Sequence, residues 1–254
     1  MSHQQVLRPL SVKQNKTEVS ILVPADIWVS AEQLKEEFPV NTEEEIEEVT
    51  EIELAARFMH FAATRASKEP QFLPVARTAF LDFRSQYLKN NDVHAITRHL
   101  SSESRTVVIQ AYFTALVVLK DDNVKPPTSA LFAAALRGDT NIFAAFGGQG
   151  NIEEYFDELA DIWTTYQDLV RSFVERMAIV LAEHARSSEA SVFHSKGLDI
   201  IRWLDNPELR PDLQYLVSAP VSFPLIGLTQ LLHYYVMLKV LDRSPDDIRQ
   251  LLAG

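Results

Sequence analysis

The sequence predicts a helix-rich α/β protein built in two parts, and three observations support this. The chain has 254 residues, of which 46% are hydrophobic, so it can bury a core in one large or two small domains. Apolar residues recur at helical spacing along most of its length. An early strand-like run and a short apolar run before a glycine cluster interrupt the helical pattern.

Residues 1–125 are predicted to form a mainly helical region with one early strand. The strand lies in "TEVSILVPAD", residues 17–26, because its apolar run stops at Pro24, which cannot donate to a strand ladder. At residues 104–119 the β-branched content favours a strand, whereas the length favours a buried helix, which we expect. Further helices are expected at 41–66, at 72–89 and after a cap at Asn91 or Asp92.

Residues 126–138 are predicted to be a linker with paired prolines followed by a short helix, "SALFAAALRGD". The remaining part, 139–254, opens on a continuously apolar run at 142–146, which is typical of a buried parallel strand. Helices are then expected at 162–185, within "GLDIIRWLDNP", at 224–241 and after a cap at Ser244.

Composition excludes several classes of protein. With 24 basic and 35 acidic residues the net charge is -11, so we expect neither nucleic-acid nor membrane partners. No apolar run reaches about 18 residues, and the N-terminus lacks a signal-peptide core. The chain has no cysteine, which excludes disulfides, thiolate zinc sites and a cysteine nucleophile and fits a cytoplasmic location.

The stretch "NIFAAFGGQGNIEEYF", residues 141–156, holds three of the seven glycines: Gly147, Gly148 and Gly150. Glycine tolerates positive φ and lets another group approach the backbone. Asn151 is a good helix cap, and Glu154 lies three residues further on, as in a capping box. Backbone N–H groups at such a helix start can bind an anion or a developing oxyanion.

Three interpretations of the glycine cluster remain open from the residues alone. Nucleotide binding is disfavoured, because no Lys-Ser/Thr pair follows and Glu153 stands where a third glycine belongs. The others are a tight turn without chemistry and a site for a small ligand.

A resemblance favours acyl transfer. "FGGQGN" after an apolar run resembles the opening signature of acyltransferases of fatty-acid and polyketide synthases. In addition, "LRPLSV…EVSILVP", "YLKNNDVHAI", "GLDIIRWLDNP" and "APVSFPLIGLTQLLHYYV" are similar, in order, to the N-terminal acetyltransferase region of the fungal type I fatty acid synthase β subunit. The β subunits that make starter chains for aflatoxin-type polyketides share this pattern, so the two kinds are not separated.

The resemblance implies an α/β-hydrolase-like domain in which a serine in G-H-S-x-G takes an acetyl group from acetyl-CoA, with a distant histidine as base. The acetyl group then passes to acyl carrier protein. The backbone N–H of Gln149 would complete the oxyanion hole, and Gly147, Gly148, Gly150 and Asn151 would shape the substrate site.

The serine elbow is missing from these 254 residues. The nearest match, "FHSKG" at 193–197, has Phe193 in place of the first glycine, so Ser195 is expected to be a solvated loop residue. We therefore expect a fragment truncated before the nucleophile elbow, an acyltransferase only as part of a longer chain and inactive alone. The histidines are expected to be structural, and no set has zinc spacing.

The remaining expectations come from the same resemblance. Acetyl-CoA is a substrate, no cofactor or metal is expected in this segment, and FMN and NADPH are expected only in later domains. The expected partners are acyl carrier protein, the α subunit and the rest of the β subunit in a large hetero-oligomer. The rival hypothesis is a structural segment that serves assembly and does no chemistry.

Overall fold

The computed structural model describes residues 6–39, 49–89, 91–120, 130–143 and 154–252. They belong to two compact units, Met1–Val124 and Lys125–Gly254. The described residues are mostly helical, with a small two-stranded sheet in the first unit. The protein is therefore helix-rich, and the strands found among the described residues lie near the N-terminus.

The sheet of the first unit is a hairpin of β1 (Leu7–Gln14) and β2 (Thr17–Pro24). The strands pair antiparallel with Gln14 opposite Thr17, which leaves a two-residue turn. Asn15 in this turn has φ 52°, a left-handed conformation that asparagine tolerates better than most residues. The predicted strand is confirmed as β2, whereas β1 was missed, because Pro9 obscures its alternation.

The hairpin packs on helices α1 (Trp28–Glu37), α2 (Glu51–Lys68) and α3 (Leu73–Phe83). A single π-helical turn, Arg84–Leu88, extends α3. Helices α4 (Val93–Thr97) and α5 (Ser102–Leu119) complete the unit. The helix expected at 104–119 and the cap expected at Asp92, whose carboxylate accepts from the His94 N–H at 2.8 Å, are confirmed.

Helix α2 is the centre of the first unit. It packs against α5, α3 and both strands, and half of its residues are buried. It begins after Thr50, whose hydroxyl accepts from the backbone N–H of Glu53 at 3.4 Å. Large apolar side chains from α2, α3, α5 and the turn before α3 fill the core. The fully buried aromatic residues are Phe58, Phe72, Phe80, Phe83 and Phe113.

The second unit consists, among its described residues, of helices alone. They are α6 (Ala130–Leu136), α7 (Tyr155–Arg186), α8 (Ile200–Asp205), α9 (Leu213–Leu216), α10 (Ala219–Val240) and α11 (Pro245–Leu252). The long helices α7 and α10 pack together and carry most of this unit's core. The indole N–H of Trp163 donates to the Asp205 carboxylate at 3.0 Å and so ties α7 to α8.

The strand expected at 142–146 is wrong at 142 and 143, the two of these residues that the structure describes. Ile142 and Phe143 lie in coil, and the Phe143 side chain is 88% exposed, whereas 144–146 lie outside the described residues. A short apolar run has no period of its own, so the sequence could not distinguish a buried strand from an exposed segment.

Helix α10 is apolar around its whole circumference. Val221, Leu225 and Leu228 face the core, while Phe223 and Leu231 remain about half exposed on the other side. By length and composition alone, α10 would be able to cross a membrane. This differs from the sequence analysis, in which no apolar run was long enough for a transmembrane helix. Its most apolar window is 44% buried within the structure, however, and buried core helices meet the same criteria.

Candidate functional site

The five site residues named from the sequence lie outside the described residues. Gly147, Gly148, Gln149, Gly150 and Asn151 all fall within the gap from 144 to 153. The structure does describe both flanks, the segment that leaves α6 and the start of α7. Gly138, just after α6, has φ +78°, the left-handed conformation expected of a glycine that ends a helix.

The first turn of α7 is held by one short side-chain hydrogen bond. The Tyr155 hydroxyl donates to the Leu216 carbonyl at 2.9 Å, whereas the Thr229 hydroxyl donates to the Leu225 carbonyl within α10 at 2.9 Å. Burial raises the pKa of the Tyr155 phenol far above its usual value, so the phenol stays neutral and keeps its donor. The contact with α9 therefore ties down the helix start that follows the glycine cluster in sequence.

Arg210 adds a second contact to the same turn. Its guanidinium lies 4.6 Å from the ring centre of Phe156, and its Nη1 donates to the Asp157 carboxylate at 2.7 Å. Asp157 is largely exposed, so the ion pair contributes little and the stacking contributes more. The Arg210 Nε is buried and has no hydrogen-bond partner within the described part of the chain. Arg210 is thus a positioning residue for the start of α7.

We expect Arg210→Lys to loosen the first two turns of α7. A lysine cannot reproduce the planar stacking on Phe156, which is worth about 1 kcal/mol, so amides there should exchange roughly five-fold faster. Hydrogen-exchange mass spectrometry measures this rate. Arg202→Lys, at an exposed position on α8, is the matched control and should leave it unchanged. Equal protection in both variants would remove the role assigned to Arg210.

The structure shows no pairing of His194 with Ser195. Ser195 lies exposed in a turn that follows a 3₁₀ segment, Ser191–Phe193, so the expectation of a solvated loop serine is confirmed. The buried His194 ring has Nδ1 at 2.9 Å from the Ala190 carbonyl and Nε2 at 3.1 Å from the Pro220 carbonyl. Both nitrogens therefore contact backbone acceptors, which fixes the ring as a link between the 3₁₀ segment and α10.

The described residues contain no cluster of three or more histidine, aspartate or glutamate side chains that could hold a metal ion. The carboxylates near the start of α7 are spread along the helix surface, and Asp157 is engaged by Arg210. What the described residues supply is a set of contacts at the start of α7, the helix that follows the glycine cluster in sequence.

Two family models match the chain in succession. Residues 6–119 match the N-terminal domain in fatty acid synthase subunit beta. Residues 144–251 match the starter unit:ACP transacylase in aflatoxin biosynthesis, and this range begins just before the glycine cluster. The chain belongs to the fungal fatty acid synthase β-subunit family. The resemblance inferred from the sequence motifs is thereby confirmed.

Individual fungal fatty acid synthase β subunits support the same assignment. Fatty acid synthase subunit beta of Saccharomyces cerevisiae is 36% identical over 97% of this chain and 13% of its own length. The beta subunit TOXC of Cochliobolus carbonum is 31% identical over 98% of this chain and 12% of its own length. The beta subunit aflB of Emericella nidulans is 38% identical over 65% of this chain and 8% of its own length. The chain spans about one eighth of the first two relatives.

Sequence reasoning missed the residues that hold α7 within this synthase region. Arg210 follows Pro207 in a polar stretch and belongs to no recognisable motif. Nothing in the sequence pattern linked Arg210 to Phe156, 54 positions earlier.

Proposed function

We propose that this region is part of an acyltransferase that loads the starter acetyl group from acetyl-CoA onto the acyl carrier protein of a fungal fatty acid synthase. The observation that carries the proposal is the succession of two family matches, of which the second is a starter-unit transacylase that begins at the glycine cluster. The FAS β subunits among the relatives support the same reaction class.

Within this proposal the backbone N–H of Gln149 is one of two donors of the oxyanion hole. Gly147, Gly148, Gly150 and Asn151 form the rest of the loop and shape the substrate site. An oxyanion donor must be held rigidly where negative charge develops, because a donor that reorganises during the reaction loses its advantage. The contacts of Tyr155 and Arg210 at the start of α7 support such rigidity on one side of the loop.

The covalent step needs a serine nucleophile and a histidine base. No G-x-S-x-G motif occurs in these 254 residues, and His194 is engaged by two carbonyl groups. We place both catalytic groups elsewhere in a longer polypeptide, within an α/β-hydrolase-like domain that this region helps to build. The half-exposed apolar face of α10, with Phe223 and Leu231, is suited to packing against such a domain.

The remaining assignments follow from the same proposal. The partners are acyl carrier protein, the α subunit and the other β-subunit domains in a cytoplasmic hetero-oligomer. Acetyl-CoA is bound as substrate, while FMN and NADPH serve other domains of the β subunit. Residues 1–125 would act mainly in assembly, because their match is to an N-terminal domain without a named activity.

A second candidate differs in the kind of synthase to which the region belongs. The transacylase model is described for aflatoxin biosynthesis, and the aflB relative is 38% identical over 168 residues. These two observations favour a starter-unit acyltransferase of a polyketide-linked synthase. Chain-length analysis of the acyl products that the assembled synthase makes from acetyl-CoA distinguishes the two candidates, because a polyketide-linked synthase makes short starter chains.

We expect the 254-residue chain alone to form no acyl-enzyme, because it lacks both catalytic groups. The measurement is incubation with radiolabelled acetyl-CoA followed by denaturing electrophoresis, with an assembled fungal synthase as the positive control. The Ser195→Ala variant should behave in the same way as the unaltered chain. Stoichiometric label that disappears in Ser195→Ala would place the nucleophile at Ser195 and contradict the proposal.

A further inference from the structure

The first unit contains a cavity of about 390 Å³ that the proposed acyl transfer does not use. The end of β1, the residues just after α1, one face of α2 and one face of α5 line it, and it is open to solvent on one side. A cavity of 150 Å³ is enough for benzene, and sites for small ligands begin at about 300 Å³. The space therefore suits a molecule of one or two rings.

A buried glutamine without a partner lines this cavity. The inner face of β1 carries Leu10, Val12 and then Gln14, so the strand places an amide where its alternation calls for an apolar side chain. Gln14 is only 2% exposed, and its Oε1 accepts no hydrogen bond from the described residues. Buried acceptors are nearly always paired, so an orphan of this kind calls for a donor from a ligand or water.

The walls beside Gln14 combine apolar side chains with polar ones, which are Arg57, His60, Thr64 and Gln110. Phe38 and Phe61 meet edge to face with ring centres 5.6 Å apart, and Pro39 and Val107 also line the space. Aromatic walls of this kind favour a flat apolar body, which can stack on one ring and meet the edge of another.

The charges around the cavity favour an uncharged ligand. No carboxylate is among its lining residues, so a cation would find no counter-charge there. The guanidinium of Arg57 already donates to the buried Glu53 carboxylate at 2.6 Å, and Ser104 donates to the same carboxylate at 3.0 Å. An anion would have to compete with this pair, and a desolvated charge without a partner is costly.

We propose that this cavity binds a small, uncharged, flat apolar molecule that donates one N–H or O–H hydrogen bond to Oε1 of Gln14. The molecule is a ligand of the first unit and is independent of acyl transfer at the glycine loop. A ligand with both features satisfies the orphan acceptor and fills the aromatic-walled space at once.

The test uses two probes of the same shape, indole and indene, of which only indole has an N–H donor. Proton NMR titration of each probe against the 254-residue chain gives its Kd. We expect indole to bind roughly 3- to 10-fold more tightly than indene, as one net hydrogen bond implies. Gln14→Met removes the acceptor at similar volume, so it should weaken indole to the level of indene and leave indene unchanged.

Three further variants separate this cavity from other apolar surface. Val107→Trp fills the space and should abolish binding of both probes. If circular dichroism shows that this variant is not folded, Thr64→Phe, which fills the same space from α2, replaces it. Gln33→Met changes an exposed glutamine on α1 and should alter neither Kd. Three outcomes would each overturn the proposal. They are equal affinity for indole and indene, binding that survives in the filled-cavity variants, and no binding of either probe. In the last case water would be the partner of the Gln14 side-chain oxygen.

Discussion

Gln149→Pro in a full-length fungal β subunit carrying this sequence is expected to slow acetyl loading by about 100- to 1,000-fold. Proline has no backbone N–H, so the variant removes the donor that the proposed oxyanion hole takes from this residue. Burst kinetics of acetyl loading measure the effect, because they isolate formation of the acyl-enzyme from later steps. Circular dichroism shows whether the variant remains folded.

Gln149→Ala is the matched control for this experiment. It keeps the backbone N–H, so most of the loading rate should survive if the backbone rather than the side chain binds the oxyanion. Gly148→Val and Gly150→Val should approach the proline variant if either glycine needs positive φ. Folded proline and valine variants that load acetyl at the unaltered rate would reduce the loop to a turn and withdraw the role proposed for Gln149.

Leu54→Ala is expected to lower the free energy of unfolding of the first unit by about 2–5 kcal/mol. Leu54 is fully buried on α2, where that helix meets its neighbours, so the variant loses apolar burial and leaves a cavity. Hydrogen-exchange mass spectrometry of peptides from α2 and α5 follows this unit separately from the second.

Leu81→Ala makes the same chemical change at a position that is 45% exposed on α3. It should cost less than about 1 kcal/mol, because surface substitutions rarely disturb packing. If both variants lowered protection equally, burial at Leu54 would not be what stabilises the unit.

The long helices could be predicted from sequence because their period extends over several turns. Helix α5 is an instructive case: its β-branched residues suggested a strand, but 18 residues are too many for a typical strand, and length gave the right answer. Strand β1 and the segment at 142–143 were the failures, because a proline and a short apolar run removed the only periodic signals. The helix expected at 41–66 begins, among the described residues, only at Glu51, after the cap at Thr50.

The residues of the candidate site could be predicted from the sequence only where they form a motif. The glycines and Gln149 form such a motif, but the contacts that hold the neighbouring helix start do not. Arg210 and Phe156 meet through tertiary packing of distant segments, as do Tyr155 and Leu216. Gln14 is a further case, because the lack of a partner for its side-chain oxygen depends on the residues that the fold places around it. The alternation along one strand does not specify those residues.

The central place of α2 has a consequence for the order of folding. Residues 69–72 alone connect α2 to α3, whereas α5 begins only at Ser102, so its contact with α2 closes a chain segment about eight times longer. Closing the longer loop costs roughly 2 kcal/mol more chain entropy. We therefore expect the α2–α3 and β1–β2 hairpins to form early and α5 to dock late onto a partly assembled surface. With this order, changes to the contacts between α2 and α5 should mainly alter the unfolding rate, and changes to those between α2 and α3 should mainly alter the folding rate.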